Sequence, residues 1–196
     1  MKSNVCKIEN GVKDLELILK ESEKVAVYNE LTHKQALRLR LICEELDGML
    51  PNIVNEFEGK FWIDFEDGVC KVNVSIEFAE FSSAKKKELI NISKSGKNAA
   101  SVGISGKIRS AFEYLFLGEE ARYAHAVSTG AYQVPFGYMD YSYVWSLEQY
   151  RGTVNKDDQA DAWDELEKSV IATVADDVIV GIKGKKADII ITKKFF

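Results

Sequence analysis

The chain has 196 residues, of which 46% are hydrophobic and 29% charged, and this composition excludes a disordered or collagen-like protein. The formal net charge of -5 argues against a protein whose main role is to coat nucleic acid. The sequence contains no run of ~20 apolar residues and no N-terminal apolar segment of the secretory type. We therefore expect a cytoplasmic protein that does not have a membrane as its partner.

Two helices are predicted in the first third of the chain. Residues 12–30 carry apolar side chains at helical spacing, either as one helix or as two with a break near Ser22. Thr32 and Gln35 have the spacing of a capping box, in which each residue satisfies the other's backbone N–H group, and they predict the start of a second, long helix. A proline follows Leu50, so we expect this helix to end there or one turn later.

Two hairpins are predicted, one after the helices and one at the end of the chain. Phe61 to Phe78 is rich in strand-forming residues and is divided by Asp67-Gly68, a typical two-residue turn. The second hairpin joins strands at 178–180 and 187–192 through a turn at 184–186.

The region between the hairpins is predicted to be helical at both ends and irregular in the middle. Helical spacing begins near residue 84, returns over 103–117 and returns again over 158–174. Residues 118–157 break the pattern and hold a cluster of aromatic side chains, so we expect a long ordered loop or lid. These aromatic rings either close the loop over the core or stack on a ligand.

This order of elements differs from the alternation of strand and helix that builds a parallel sheet. It predicts an α+β fold, a two-layer sandwich with helices on one face of a mostly antiparallel sheet. We expect residues 1–196 to form a single domain, with the aromatic loop at about 118–157 as an insertion.

Common metal and redox motifs are absent from the sequence. Cys6, Cys43 and Cys70 do not form a C-x-x-C pair, and we expect buried free thiols. His33 and His125 belong to no metal-ligand pattern, so we expect structural or solvent-facing side chains and no metal site.

Residues 84–109 are strongly basic, but they contain no phosphate-binding loop. Gly106-Lys107 is followed by Ile108 where a Walker A loop requires Ser or Thr. The segment is interpreted as a solvated helix face or, alternatively, as a binding site for an acidic partner or nucleic acid.

Glu44 and Glu45 are adjacent carboxylates on the second predicted helix. Neighbouring helical residues point about 100° apart, so the two cannot form an acid/base pair that faces one pocket. If Glu45 faces inward, it could orient a water molecule or a metal-bound nucleotide. Alternatively, both side chains are exposed members of pairs such as Arg40–Glu44.

The segment 37–49, followed by the hairpin 61–78, resembles the start of the histidine-kinase-like ATPase superfamily, nearest its anti-sigma-factor serine kinase branch. Residues 163–192 resemble the last helix and final two strands of that family. The resemblance implies a histidine-kinase-like ATPase fold with ATP and magnesium as candidate ligands. It places Glu45 on the glutamate that activates water or the substrate hydroxyl, and Met49 on the asparagine that helps to hold magnesium.

The glycine motifs of that family are missing from this sequence. Residues 77–81 contain no glycine where the family has Asp-x-Gly-x-Gly, whose aspartate recognises adenine. Asn52 could replace the missing amide ligand, and Lys97 or Asn98 could replace a phosphate contact.

The missing glycine motifs imply a regulatory or binding protein rather than an enzyme, with weak or lost ATP binding. We expect a protein partner or a homodimer, and nucleic acid is the less favoured partner. The alternatives are an active ATP-dependent serine kinase or ATPase with Glu45 as general base, and a binder of acidic molecules through 84–109.

Overall fold

The computed structural model describes residues 1–9, 14–53, 57–77, 107–108, 143–153, 169–183 and 185–196. Six strands and four helices lie within these ranges. In chain order they are β1 (Cys6–Glu9), α1 (Asp14–Tyr28), α2 (His33–Ile53), β2 (Glu58–Glu66), β3 (Val69–Glu77), β4 (Tyr143–Ser146), α3 (Leu147–Thr153), α4 (Val170–Val174), β5 (Asp177–Lys183) and β6 (Lys186–Lys194).

The six strands form one sheet in the order β1-β2-β3-β6-β5-β4, and every neighbouring pair is antiparallel. One face of this sheet is lined by buried apolar side chains, which belong to the same core as the buried residues of α1 and α2. On the four longer strands these side chains are Phe61, Ile63, Phe65, Cys70, Val72, Val74, Ile76, Val178, Val180, Ile182, Ala187, Ile189 and Ile191. The predicted α+β class with an antiparallel sheet is confirmed, and the arrangement is consistent with a two-layer sandwich.

Both predicted hairpins are present. Asp67 and Gly68 have φ angles of 49° and 74°, which suit the two-residue turn that matches the twist of antiparallel strands. β3 and β6 then pair along nine residues, with Val74 opposite Ile189, so the two hairpins lie side by side at the centre of the sheet.

The two N-terminal helices also match the prediction. The Thr32 backbone N–H donates to Gln35 Oε1 at 2.9 Å, and the Gln35 backbone N–H donates to Thr32 Oγ1 at 3.4 Å, which is the predicted capping box. α1 continues through Ser22 without a break, and the Ser22 hydroxyl donates to the carbonyl oxygen of Leu19 at 2.7 Å. α2 ends at Ile53, a turn after the earlier of the two predicted ends.

The predicted irregular segment 118–157 is wrong over residues 143–153, which form β4 and α3. Tyr143 and Trp145 alternate with half-buried residues and are themselves buried, and in the sheet they lie beside Ile182 and Val180 of β5. These two rings therefore belong to the core, which was one of the two interpretations of the aromatic cluster. The other residues of that segment lie outside the described ranges.

The predicted helix over 158–174 is wrong at Ser169. The backbone of Ser169 is extended, with φ -79° and ψ 120°, and its hydroxyl accepts a hydrogen bond from the Ala172 backbone N–H at 3.3 Å. Ser169 is therefore an N-cap, and α4 begins at Val170. The predicted helices near 84 and over 103–117 lie outside the described residues, apart from Lys107 and Ile108.

Candidate functional site

Glu45 lies in the second half of α2, on the side of the helix that faces the core. Ile42, three residues before it, and Met49, four residues after it, are both buried, and they share this side because the helix has 3.6 residues per turn. The Glu45 side chain is half-buried between them. Within the described part of the chain it makes neither a hydrogen bond nor an ion pair.

Glu44, the neighbouring carboxylate, points in a different direction from Glu45 and forms an ion pair with Arg40. Its Oε1 accepts a hydrogen bond from Arg40 Nε at 2.8 Å, and another nitrogen of the same guanidinium lies 3.2 Å from Glu23 Oε1. The interpretation in which both carboxylates are exposed members of ion pairs is therefore correct for Glu44. It does not describe Glu45, which has no ion pair within the described part of the chain.

Met49 occupies the helical position at which the resemblance implies a magnesium ligand. Its side chain is 6% exposed and is part of the hydrophobic core. Mg²⁺ prefers oxygen ligands, and a thioether sulfur is a poor donor for so hard a cation. In the resemblance, an amide oxygen one helical turn after the glutamate would bind the same Mg²⁺ ion. At that position this chain has Met49, so Glu45 lacks this second ligand.

The other predicted site residues are not brought together with Glu45 by the described structure. Asn52 lies in the last turn of α2, two turns beyond Glu45 along the helix axis, where its side chain is not described. Lys97 and Asn98 lie outside the described residues. Among the residues that are described, no cluster of three or more His, Cys, Asp or Glu side chains could hold a metal ion.

Lys107 is the one cation of the basic segment 84–109 that the described ranges contain. Its Nζ lies 4.9 Å from the centre of the Tyr150 ring, a cation–π distance, and the Tyr150 ring lies 6.0 Å from that of Trp145. Lys107 therefore contributes to the packing beside α3.

A polar junction that the sequence analysis missed holds α3 and α4 to the end of the sheet. Asp177 Oδ1 accepts hydrogen bonds from the Ser146 hydroxyl at 3.1 Å and from the Glu148 backbone N–H at 2.9 Å, at the start of α3. The Arg151 guanidinium donates to the carbonyl oxygens of Ala172 and Asp176. The junction is built from groups distant in sequence, so no local pattern could have indicated it.

The thiols of Cys43 and Cys70 are poor nucleophiles in this environment, whereas Cys6 is only half-buried, so the expectation of a buried thiol is wrong for Cys6. Burial raises the pKa of Cys43, and the nearby Cys70 and Glu44 raise it further. Burial also raises the pKa of Cys70 to about 12. Since only a thiolate attacks or binds a metal, both side chains are apolar core residues at neutral pH, as the sequence predicted.

Comparison with protein-family models, with curated proteins and with solved structures finds no match to this chain. Among the described residues, no helix is both long and apolar enough to cross a membrane.

Proposed function

We propose that this chain is a regulatory or binding protein built on a histidine-kinase-like ATPase fold in which ATP binding is weak or lost. The order of the described elements supports the proposal. The long helix α2 is followed by the hairpin β2–β3, the order that the resemblance implies, and the hairpin β5–β6 follows the five-residue helix α4. The position of Glu45, half-buried on the core-facing side of α2, is also consistent with the glutamate of that family.

The burial of Met49 is the observation that carries the proposal of weak or lost ATP binding. A side chain packed in the hydrophobic core, one turn after Glu45, cannot be exchanged for a hydrated metal ligand without loss of core contacts. Mg²⁺ requires near-octahedral oxygen coordination, so a carboxylate followed one helical turn later by a buried thioether instead of an amide oxygen holds that cation more weakly.

The test is calorimetric titration of the full chain with a non-hydrolysable ATP analogue, with and without magnesium. We expect no saturation below about 1 mM nucleotide, which corresponds to a binding free energy weaker than about 4 kcal/mol. Glu45→Gln is the diagnostic variant, and Glu44→Gln is its matched control on the adjacent residue. Magnesium-dependent micromolar binding that Glu45→Gln abolishes and Glu44→Gln preserves would overturn the proposal.

A second candidate function is an active ATP-dependent serine kinase or ATPase. The observation that favours it is the Glu45 carboxylate, which has no partner in the described part of the chain and could accept a proton from water or a hydroxyl group. On this alternative, Glu45→Gln lowers the rate of ATP turnover by about 100-fold or more. Turnover that is the same in Glu45→Gln and in the wild-type protein would exclude Glu45 as the base.

A further inference from the structure

Strand β1 is the last strand at one end of the described sheet, with β2 as its neighbour. The backbone N–H and C=O groups of alternate residues point to opposite sides of a strand, so half of those of an end strand point away from the sheet. Lys2 lies opposite Asp64 and Cys6 lies opposite Phe61, so the three residues between Lys2 and Cys6 oppose two residues of β2 in a β-bulge. The regular part of this edge is therefore Cys6–Glu9.

Like charges lie opposite one another at this edge, on the face of the sheet that points away from the core. Lys7 is directly opposite Lys60. Glu9 is directly opposite Glu58, which is in turn opposite Glu77. All five side chains are exposed. We call Lys7 and Lys60 the positive row and the three glutamates the negative row.

The contacts within the chain compensate these rows only in part. Like charges directly opposite on neighbouring strands are destabilising. Lys7 Nζ reaches across to Glu9 Oε2 at 3.8 Å and to Glu58 Oε2 at 3.5 Å, but the Lys7 side chain is 66% exposed and solvent screens both pairs. Lys60 has no ion pair within the described part of the chain. Each row would be stabilised further by opposite charges placed beside it.

We propose that two copies of this chain associate through β1, with the two strands antiparallel about a two-fold axis at Ile8. Ile8 is 1% exposed and belongs to the hydrophobic core, so this register keeps the core faces of both copies on the same side of the joined sheet. Lys7 of each copy then lies opposite Glu9 of the other. The positive row of one copy continues into the negative row of the second copy, and the reverse holds by symmetry.

Other axes through β1 do not give this match. An axis at Lys7 would place the two Lys7 side chains opposite each other, and an axis at Glu9 would do the same for the two Glu9 side chains. Like charges in these positions oppose association. An axis at Cys6 would extend the pairing into the bulge. An axis midway between two residues would place a core-facing side chain opposite one that faces away from the core.

The charge rows favour a second copy over a strand of a different protein. Any strand could pair with the backbone groups of this edge. A different protein would need an acidic residue opposite Lys7 and a basic residue opposite Glu9, whereas a second copy supplies both. Since only four residues of each edge pair, the interface is small and we expect a weak, reversible dimer.

This inference goes beyond the proposed function and does not depend on it. β1 carries none of the candidate nucleotide-binding residues, and association is measured without nucleotide. Failure of the dimer and failure of the nucleotide proposal are therefore distinguishable.

The test is sedimentation velocity of the full chain at low salt, from about 10 µM to 1 mM, a range suited to weak association. We expect the wild-type chain to dimerise as its concentration rises. Lys7→Glu alone and Glu9→Lys alone should each weaken dimerisation at least about tenfold, because each sets like charges against each other twice across the axis. An equimolar mixture of the two variants should dimerise again, since the glutamates of the first then face the lysines of the second.

Glu66→Lys is the matched control for Glu9→Lys, since it makes the same change in net charge. Glu66 is exposed on β2, five residues or about 16 Å beyond Phe61, which lies opposite Cys6. This control should dimerise as the wild-type chain does. All three variants should keep the wild-type melting temperature within about 2 °C, because the changed side chains are exposed.

Each outcome decides the proposal. A wild-type chain that stays monomeric over the whole range would refute it. Dimerisation that both single variants retain would place the interface elsewhere, and loss in both variants without recovery in their mixture would refute the register at Ile8. Equal loss in Glu66→Lys would assign the effect to net charge and overturn the proposal.

Discussion

Glu21 is a buried acidic residue of α1 whose substitution has a calculable effect on stability. Its side chain is 8% exposed, and its carboxylate accepts hydrogen bonds from the Asn4 backbone N–H at 3.1 Å, from Asn4 Nδ2 at 3.2 Å and from Lys24 Nζ at 2.5 Å. The change Glu21→Gln keeps the shape of the side chain and removes its charge. One carboxylate oxygen becomes an NH₂ group, and this donor would then point at another donor, a nitrogen of Asn4 or of Lys24.

The expected cost of Glu21→Gln at pH 7 is about 2 kcal/mol of unfolding free energy. A hydrogen bond to a charged group contributes about 1.5–3 kcal/mol, and the Asn4 segment loses one such bond. The ion pair with Lys24 adds less than about 1 kcal/mol, since the Lys24 side chain is 47% exposed and solvent screens the pair. A change of this size shifts the folding equilibrium about 30-fold.

The effect of Glu21 depends on pH with a definite sign. Burial by itself raises the pKa of Glu21, but the hydrogen bonds from Lys24 and Asn4, with the charge of Lys24, outweigh it and hold the pKa below its ordinary value of 4.5. A lowered pKa in the folded state stabilises the protein above the unfolded-state pKa, and this contribution is lost as pH falls through the folded-state pKa. The difference between the wild-type protein and Glu21→Gln should therefore shrink below pH 4.5.

Urea unfolding of both proteins at pH 7 and at pH 3 measures this difference. The difference between the two proteins at each pH isolates the contribution of Glu21. Glu23→Gln is the control, since Glu23 is 63% exposed and its pair with Arg40 should contribute less than about 1 kcal/mol. Equal unfolding free energies of wild type and Glu21→Gln at pH 7, or the same difference at both pH values, would refute this account of Glu21.

Two glycines and three cysteines give further predictions. A Cβ at Gly59 would lie 2.8 Å from a carbonyl oxygen of β3, so Gly59→Ala should lower the unfolding free energy by about 2 kcal/mol. A Cβ at Gly48 in α2 would meet no atom within 4 Å, so Gly48→Ala should raise the unfolding free energy by about 0.5–1 kcal/mol. Urea unfolding measures both changes. A stable Gly59→Ala protein would mean that β2 shifts more easily than the sheet register indicates. In native protein at pH 8 iodoacetamide should alkylate Cys6 before Cys43 and Cys70, because these two are buried thiols with raised pKa values, and mass spectrometry after brief labelling reads the order.

The candidate site was predictable only in part. The helix that carries Glu45 follows from the capping box and the periodicity of apolar residues, which are local signals. The sequence left open which of Glu44 and Glu45 is paired, because that depends on the rotation of α2 against the core. The structure decides it through the Arg40–Glu44 hydrogen bond and the burial of Met49.

The sequence by itself determined the elements whose causes lie within a few residues: α1, α2, and the two hairpins with their turns. Only the tertiary structure decided where β4 lies, since a strand of four residues has almost no signal of its own and gains its hydrogen bonds from β5, more than 30 positions later. The cap at Ser169 and the exposure of Val27 and Leu37 were also decided by the tertiary structure. Burial and cap geometry are set by packing between distant segments, and local propensity does not contain that information.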